Sequence, residues 1–180
     1  GELGGLWRNR GRTPQKMVGV GFTSQGSGRN RPYCRLEASF DPRVDFIFDD
    51  IQADEQIGDV PALVLEHGAA GFEIDRADRA LGTPQHALLL ATAGGFSDRY
   101  QLAIEDQLVS SPNTGGSQSP LVRSDMVYLE GPRGGAVFSV SSISWCSCLS
   151  HNNYTNNVSR ITENVLRRFA NDKPIGGLDE

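Results

Sequence analysis

With 180 residues, 38% of them hydrophobic and 22% charged, the chain has the composition of one globular domain with room for a sizeable core. A net charge of -5 argues against nucleic acid or an anionic membrane as the main partner. No apolar run approaches the ~18 residues of a membrane span, no signal-peptide pattern opens the chain, and three cysteines suit a reducing cytoplasm better than a disulfide framework.

Residues 1–40 are rich in Gly, Arg and Asn and read as a covering segment laid over something outside this chain. Basic residues gather there (Arg8, Arg10, Arg12, Lys16, Arg29, Arg31, Arg35), and only "MVGVGF" (17–22) looks strand-like. Residues 41–172 read as an α/β portion and 173–180 as a polar tail, so that the whole resembles a piece of a longer polypeptide. "VDFIF" (44–48), "PALVLE" (61–66) and "ALLLAT" (87–92) are apolar runs without alternation. That pattern predicts strands buried on both faces of a mostly parallel sheet between helices.

Asp75 to Leu81 predicts a short helix stopped by Gly82 and Pro84. Ser97 or Asp98 can cap a second helix carrying Tyr100, Ile104 and Leu108. After a plain loop at 110–120, "DMVYLEG" and "GAVFSVSSISW" flank "PRGG" and predict a hairpin, with Val137, Ser139, Ser141 and Ile143 on one face. The last helix carries Val158, Ile161, Val165, Leu166 and Phe169 as one stripe, with Asn156 or Asn157 as its cap and Arg167 and Arg168 near its negative end.

Metal chemistry finds little support in this segment. His67, His86 and His151 lack ligand spacing, and a strand through Cys146 and Cys148 would turn both to one face without a second ligand pair. Ser97 lies on a strand-to-helix turn but lacks the GxSxG frame, because Asp98 and Arg99 follow it. "GVGFTSQGSG" lacks the Lys-Ser/Thr of a phosphate loop. The carboxylates are more informative. "PALVLE" followed by "HGAAGFEIDR" delivers Glu66, His67 and Glu73 to a strand end, where ligands of open α/β sheets sit. Glycines there would let the backbone approach a substrate, and burial near Phe72 and Ile74 would raise a carboxyl pKa toward neutrality for proton transfer. The simpler alternative is that Glu73 and Asp75 only complement a helix dipole.

"GELGGLWRNRGRTPQKMVGVGFTSQG", "DFIFDDI", "GAAGFEIDRADRALGTPQHALLLATAGGFSDRYQ" and "GGAVFSVSSISWCSCLSHNNYTNNVSRITENVLRRF" resemble the carboxyl-terminal part of the large subunit of the N,N-dimethylformamidase family. The likeness runs over nearly the whole chain. It implies a hydrolase that cleaves dimethylformamide to dimethylamine and formate. It also implies a glutamine-amidotransferase-like, Rossmann-like three-layer α/β domain, present here in part, and a small helical partner subunit in a cytoplasmic hetero-oligomer. A mononuclear iron held by two tyrosines and a glutamate is expected from the segment before this one, so Tyr33, Tyr100, Tyr128 and Tyr154 are not assigned as ligands. The acid of "GFEID" matches the stretch where the family resemblance places an active-site glutamate. Glu73 is therefore the catalytic candidate, with His67, Asp75 and Ser97 as substrate-positioning candidates. Two rivals stand beside this reading: a non-catalytic interface portion, and a cysteine-dependent amidotransferase-like enzyme.

Overall fold

Thr13 and Pro14 open the first α-helix of the structure, a computed structural model describing residues 7–63, 67–103 and 114–175. In α1 (Pro14–Val18), Pro14 occupies a first-turn position where its missing N–H costs nothing. Gly19, at φ +81, ends the helix by donating its N–H to Gln15 O at 3.0 Å. The stretch 17–22, expected as one strand, is split by that glycine into a helix end and the start of β1 (Gly21–Gly26). β1 is the central strand of its sheet, with Gly21, Thr23 and Ser24 buried.

The run 44–48 is not a strand. Pro42–Phe48 is a 3-10 helix whose first turn is set by Pro42 and by Asp41, which accepts the Arg43 N–H at 3.0 Å. Val44, Ile47 and Phe48 are buried, a spacing of three and four that suits a helix rather than a pleat. Residues 61–63 carry no strand, and 64–66, including Glu66, lie outside the described residues.

The helix expected from Asp75 is a correction as well. β3 (Glu73–Arg76) alternates, with Ile74 and Arg76 buried and Glu73 and Asp75 on the other face. Asp78 then closes a turn by accepting the Ala80 N–H at 2.9 Å, and Gly82 at φ +110 finishes it. β4 (Leu88–Ala93) forms where the sequence placed it. Tyr100 lies on β5 (Tyr100–Leu102) instead of a helix, because Ser97 O accepts the Tyr100 N–H in a tight turn and Asp98 is occupied by the Ser117 N–H and hydroxyl. Ile104 and Leu108 lie outside the described residues.

β6 (Ser124–Glu130) and β7 (Ala136–Ser139) make the expected hairpin, closed by Gly131 N–H to Gly135 O at 2.7 Å. β7 ends early because Ser141 takes φ +60, which no strand residue adopts. α2 (Ser144–Cys148) follows and turns Cys146 outward while Cys148 is buried, so the two thiols do not share a face. α3 (Asn157–Phe169) is the expected final helix, with Asn156 accepting the Ser159 N–H at 3.0 Å. Val158, Ile161 and Val165 are buried, but Leu166 is 63% exposed.

The strands form two sheets, ordered β3-β1-β5 and β2-β4-β6-β7, with β2 at Cys34–Arg35. Every named pairing is antiparallel. The mostly parallel sheet inferred from unalternating runs is therefore replaced, and no three-layer amidotransferase-like arrangement is visible among the described residues. Parallel pairs need long crossovers, usually helices, whereas loops and 3-10 turns connect the described strands. Tyr33, Ile57, Ile74, Leu90, Met126, Trp145 and Ile161 belong to one continuous core. An antiparallel bridge between Ile74 and Ser142 joins β3 to the segment after the hairpin. No helix among the described residues is long and apolar enough to cross a membrane.

Candidate functional site

The glycine-rich run before β3 is shaped by its neighbours in this chain. Gly68 takes φ +120, while Ala69 and Ala70 are fully buried. A Cβ on Gly71 would stand 1.8 Å from Asn30 Oδ1, so glycine is required there to admit Asn30, not a substrate. Phe72 follows at φ +72, clamped on both sides of its peptide. Its N–H donates to the Tyr100 hydroxyl at 3.0 Å, and its carbonyl accepts the Gly26 N–H at 3.0 Å. The Tyr100 hydroxyl donates in turn to Asn30 Oδ1 at 2.9 Å. A strained residue held this firmly gives the next side chain a defined origin.

That next side chain is Glu73. It faces Gln25 across the β1–β3 ladder, is exposed, and stands on the rim shared by two clefts. One cleft, of about 430 Å³, also carries Gln25, Phe72, Arg99 and Gln101. The other, of about 360 Å³, carries Val18, Val20, Asp75, Ser141 and Ile143. The position of Glu73 thus meets the minimum demand on a reacting carboxylate: a fixed backbone beside open space.

Asp75 sits two residues along the same face, with its N–H donated to Ser141 O at 3.0 Å. Burial, and next the charge of Glu73, push its carboxyl up to about 6, while Arg8 pulls the other way. The carboxyl held near neutrality is therefore Asp75. A folded-state pKa above the ordinary 3.8 contributes stability that is complete below that value and is lost as pH rises through about 6. Asp75→Asn should accordingly stabilise the fold at pH 8 by on the order of 2–3 kcal/mol, with the gain vanishing toward pH 4. Urea denaturation at several pH values measures this, and a pH-independent difference would contradict it.

The other candidates are dispersed. His67 Nε2 lies 2.6 Å from Asp59 Oδ1 and lines neither cleft. Ser97 is exposed in the turn before β5 and also lines neither. The structure thus brings Asp75 to Glu73, but not His67 or Ser97. Ser141 and Arg99 were missed as site residues. Only a positive φ turns the Ser141 segment onto β3, and no local pattern in "FSVSSIS" announces it. Cys146 is exposed and Cys148 buried, and burial pushes the Cys148 thiol up, away from the thiolate. No three His, Cys, Asp or Glu side chains gather to hold a metal ion among the described residues.

Residues 1–156 match the family described as N,N-dimethylformamidase beta subunit-like, C-terminal. The chain belongs to this family. It is 42% identical over 174 residues to the N,N-dimethylformamidase beta subunit of Paracoccus aminophilus, a match covering 97% of this chain and 23% of the relative. The beta subunit of the same name from an Alcaligenes species is 41% identical over 174 residues, with the same coverage. The chain therefore spans less than a quarter of the length of these dimethylformamidase subunits, and the β3 clefts lie within the part that matches the family.

Proposed function

We propose that this chain is the carboxyl-terminal portion of an amide hydrolase of the dimethylformamidase kind, in which Glu73 handles the proton. The observation that carries this reading is the placement of Glu73 on the common rim of two clefts, on a strand whose entry is clamped by Tyr100 and Gly26. The Glu73 carboxylate takes a proton from water as the water oxygen bonds to the amide carbon. When the carbon–nitrogen bond breaks, the same carboxyl returns that proton to the departing nitrogen. With dimethylformamide the products are dimethylamine and formate, so one amide and one water are consumed and no redox change occurs.

The mononuclear iron of the resemblance is proposed to be held by the preceding part of the longer subunit, as is the three-layer amidotransferase-like domain, and no step above runs through the metal. The remainder of the large subunit and a small subunit are the proposed partners in a hetero-oligomer. Three free thiols, at Cys34, Cys146 and Cys148, accord with a cytoplasmic setting. One surface favours a second reading, in which the chain also builds an interface. Trp7 is 67% and Met17 74% exposed on one apolar groove, an arrangement more usual for a covered surface than a solvated one.

The test is Glu73→Gln in the full-length large subunit assembled with its small subunit, reading dimethylformamide hydrolysis and iron content side by side. Near-normal turnover removes Glu73 from the chemistry. Loss of both turnover and iron makes it a structural residue.

A further inference from the structure

The helix α1 is held firmly on one side and left bare on the other. Gln15 is buried, the Thr13 hydroxyl donates to Leu81 O at 2.6 Å, and the Ser139 hydroxyl donates to Val18 O at 2.8 Å. Gly19, which caps the helix, lies against Val127 and Leu129. The exposure of Met17 therefore does not come from a fraying end. With Trp7 and Val18 it lines an apolar groove of about 620 Å³. Arg12 and Lys16 stand on the same lining, and no Asp or Glu does among the described residues. Lys16 Nζ donates to a backbone carbonyl, Gly11 O, at 3.0 Å. The Arg12 side chain has no ion pair among the described residues. Val18 belongs to two surfaces, because it also walls the cleft that holds Glu73 and Asp75. The apolar groove and the candidate site thus meet at one residue.

We propose that this groove seats a segment from the preceding part of the large subunit. That segment places an apolar side chain between Trp7 and Met17 and an Asp or Glu against Arg12 or Lys16. The inference rests on the reading above, that the chain is one portion of a hydrolase subunit, and it names where the preceding portion docks. The match covers 23% of each relative and belongs to a family described as C-terminal, so the larger part of such a subunit precedes it. Residues 7–18 lie at the amino-terminal edge of the matched stretch, the side from which that larger part arrives.

Chemistry selects the same occupant. Trp, Met and Arg are enriched where proteins meet, and an aromatic anchor inside a polar rim is the usual arrangement. Two cations without a carboxylate favour an acidic flank on whatever covers them. A second copy of this chain fits poorly, since a two-fold contact on this groove would bring Arg12 and Lys16 against the same two cations. A helix already fixed by Thr13, Gln15 and Ser139 loses little freedom on docking, which favours binding. The docked segment ends beside Val18, at the margin of the Glu73 cleft, and completes that cleft from outside this chain.

The experiment uses the full-length large subunit assembled with its small subunit. Chloramine-T oxidation of methionines is followed by peptide mass spectrometry, and a photo-crosslinking p-benzoylphenylalanine is placed at position 17 in a second preparation. Met17 is expected to oxidise at least roughly tenfold more slowly than after urea unfolding, close to the fully buried Met126. Crosslinks from position 17 should fall on the preceding part of the same large subunit. Arg12→Glu combined with Lys16→Glu, both at exposed positions, should speed Met17 oxidation severalfold while Met126 stays protected. Oxidation of Met17 at the unfolded rate, or crosslinks to the small subunit or to a second large subunit, overturns the proposal. An oxidation rate unmoved by the double charge reversal overturns the carboxylate contact. Neither readout needs turnover, so the two readings separate. An active Glu73→Gln enzyme with Met17 protected overturns the role of Glu73 alone, whereas an inactive one with Met17 freely oxidised overturns this docking alone.

Discussion

Glu73→Gln in the assembled full-length enzyme is expected to lower kcat by about 10²–10⁴-fold, the usual contribution of a positioned general acid–base. The amide is nearly isosteric with the carboxylate, and no part of the local frame depends on the Glu73 side chain. Phe72 is held through its backbone by Tyr100 and Gly26, and the β3 ladder uses main-chain atoms. The loss should therefore fall on kcat with little change in KM, because substrate contacts remain while proton transfer is gone. Glu73→Asp, which keeps the acid but retracts it by one methylene, should retain a measurable fraction of turnover. With the proposed iron held by the preceding part of the subunit, iron content should match the wild type in both variants. Equal defects in the Gln and Asp variants, together with disturbed assembly, would show that position 73 matters for shape alone.

Asp125→Ala should destabilise the chain by about 3 kcal/mol, at the lower edge of the cost of breaking a buried ion pair. The Asp125 side chain is fully buried and serves three donors: the Ala77 N–H at 2.9 Å, the Thr92 hydroxyl at 2.8 Å and Arg123 Nε at 3.0 Å. Removing it strands the Ala77 N–H and leaves the Thr92 hydroxyl only the Ser124 carbonyl at 3.4 Å. Arg123 is 28% exposed, so water can rehydrate part of its charge, which keeps the cost from being larger. Burial pushes the Asp125 carboxyl up despite Arg123, Thr92 and Ala77. Asp125→Asn turns one of two accepting oxygens into a donor facing another donor, so it should cost about 1–3 kcal/mol. The site is coupled to this network, since Ala77 follows β3 directly and its carbonyl also accepts Arg123 Nη2 at 3.0 Å. Hydrogen exchange at the β3 amides should thus rise in Asp125→Ala as the urea midpoint falls. A midpoint within 1 kcal/mol of wild type, or unchanged β3 protection, would reject this account.

Elements whose signals lie within one stretch of chain were legible. Asn156 before a stripe of Val158, Ile161 and Val165 specifies α3, and "PRGG" between apolar runs specifies the β6–β7 turn. The errors arose where a local pattern was ambiguous. Five apolar or acidic residues at 44–48 fit strand or helix equally, and the overlooked Asp-Pro start decided for a 3-10 helix. "EIDR" is too short to separate a period of two from a helix start. Packing of Ile74 into the core, with antiparallel pairing to β1, settled it as a strand. The same pairing explains the candidate site. Glu73 became a candidate by resemblance, and its place beside Asp75 on one face follows from β-strand alternation that the expected helix would have scrambled.

By itself the sequence determined the family, the final helix and the hairpin, because each depends on identity or on contacts a few residues apart. Only the tertiary structure decided the antiparallel sheet order, the two clefts on either side of Glu73 and the approach of Ser141 to Asp75. Those contacts join residues separated by tens of positions, and they form only when burial of a shared core outweighs the preferences of each local stretch.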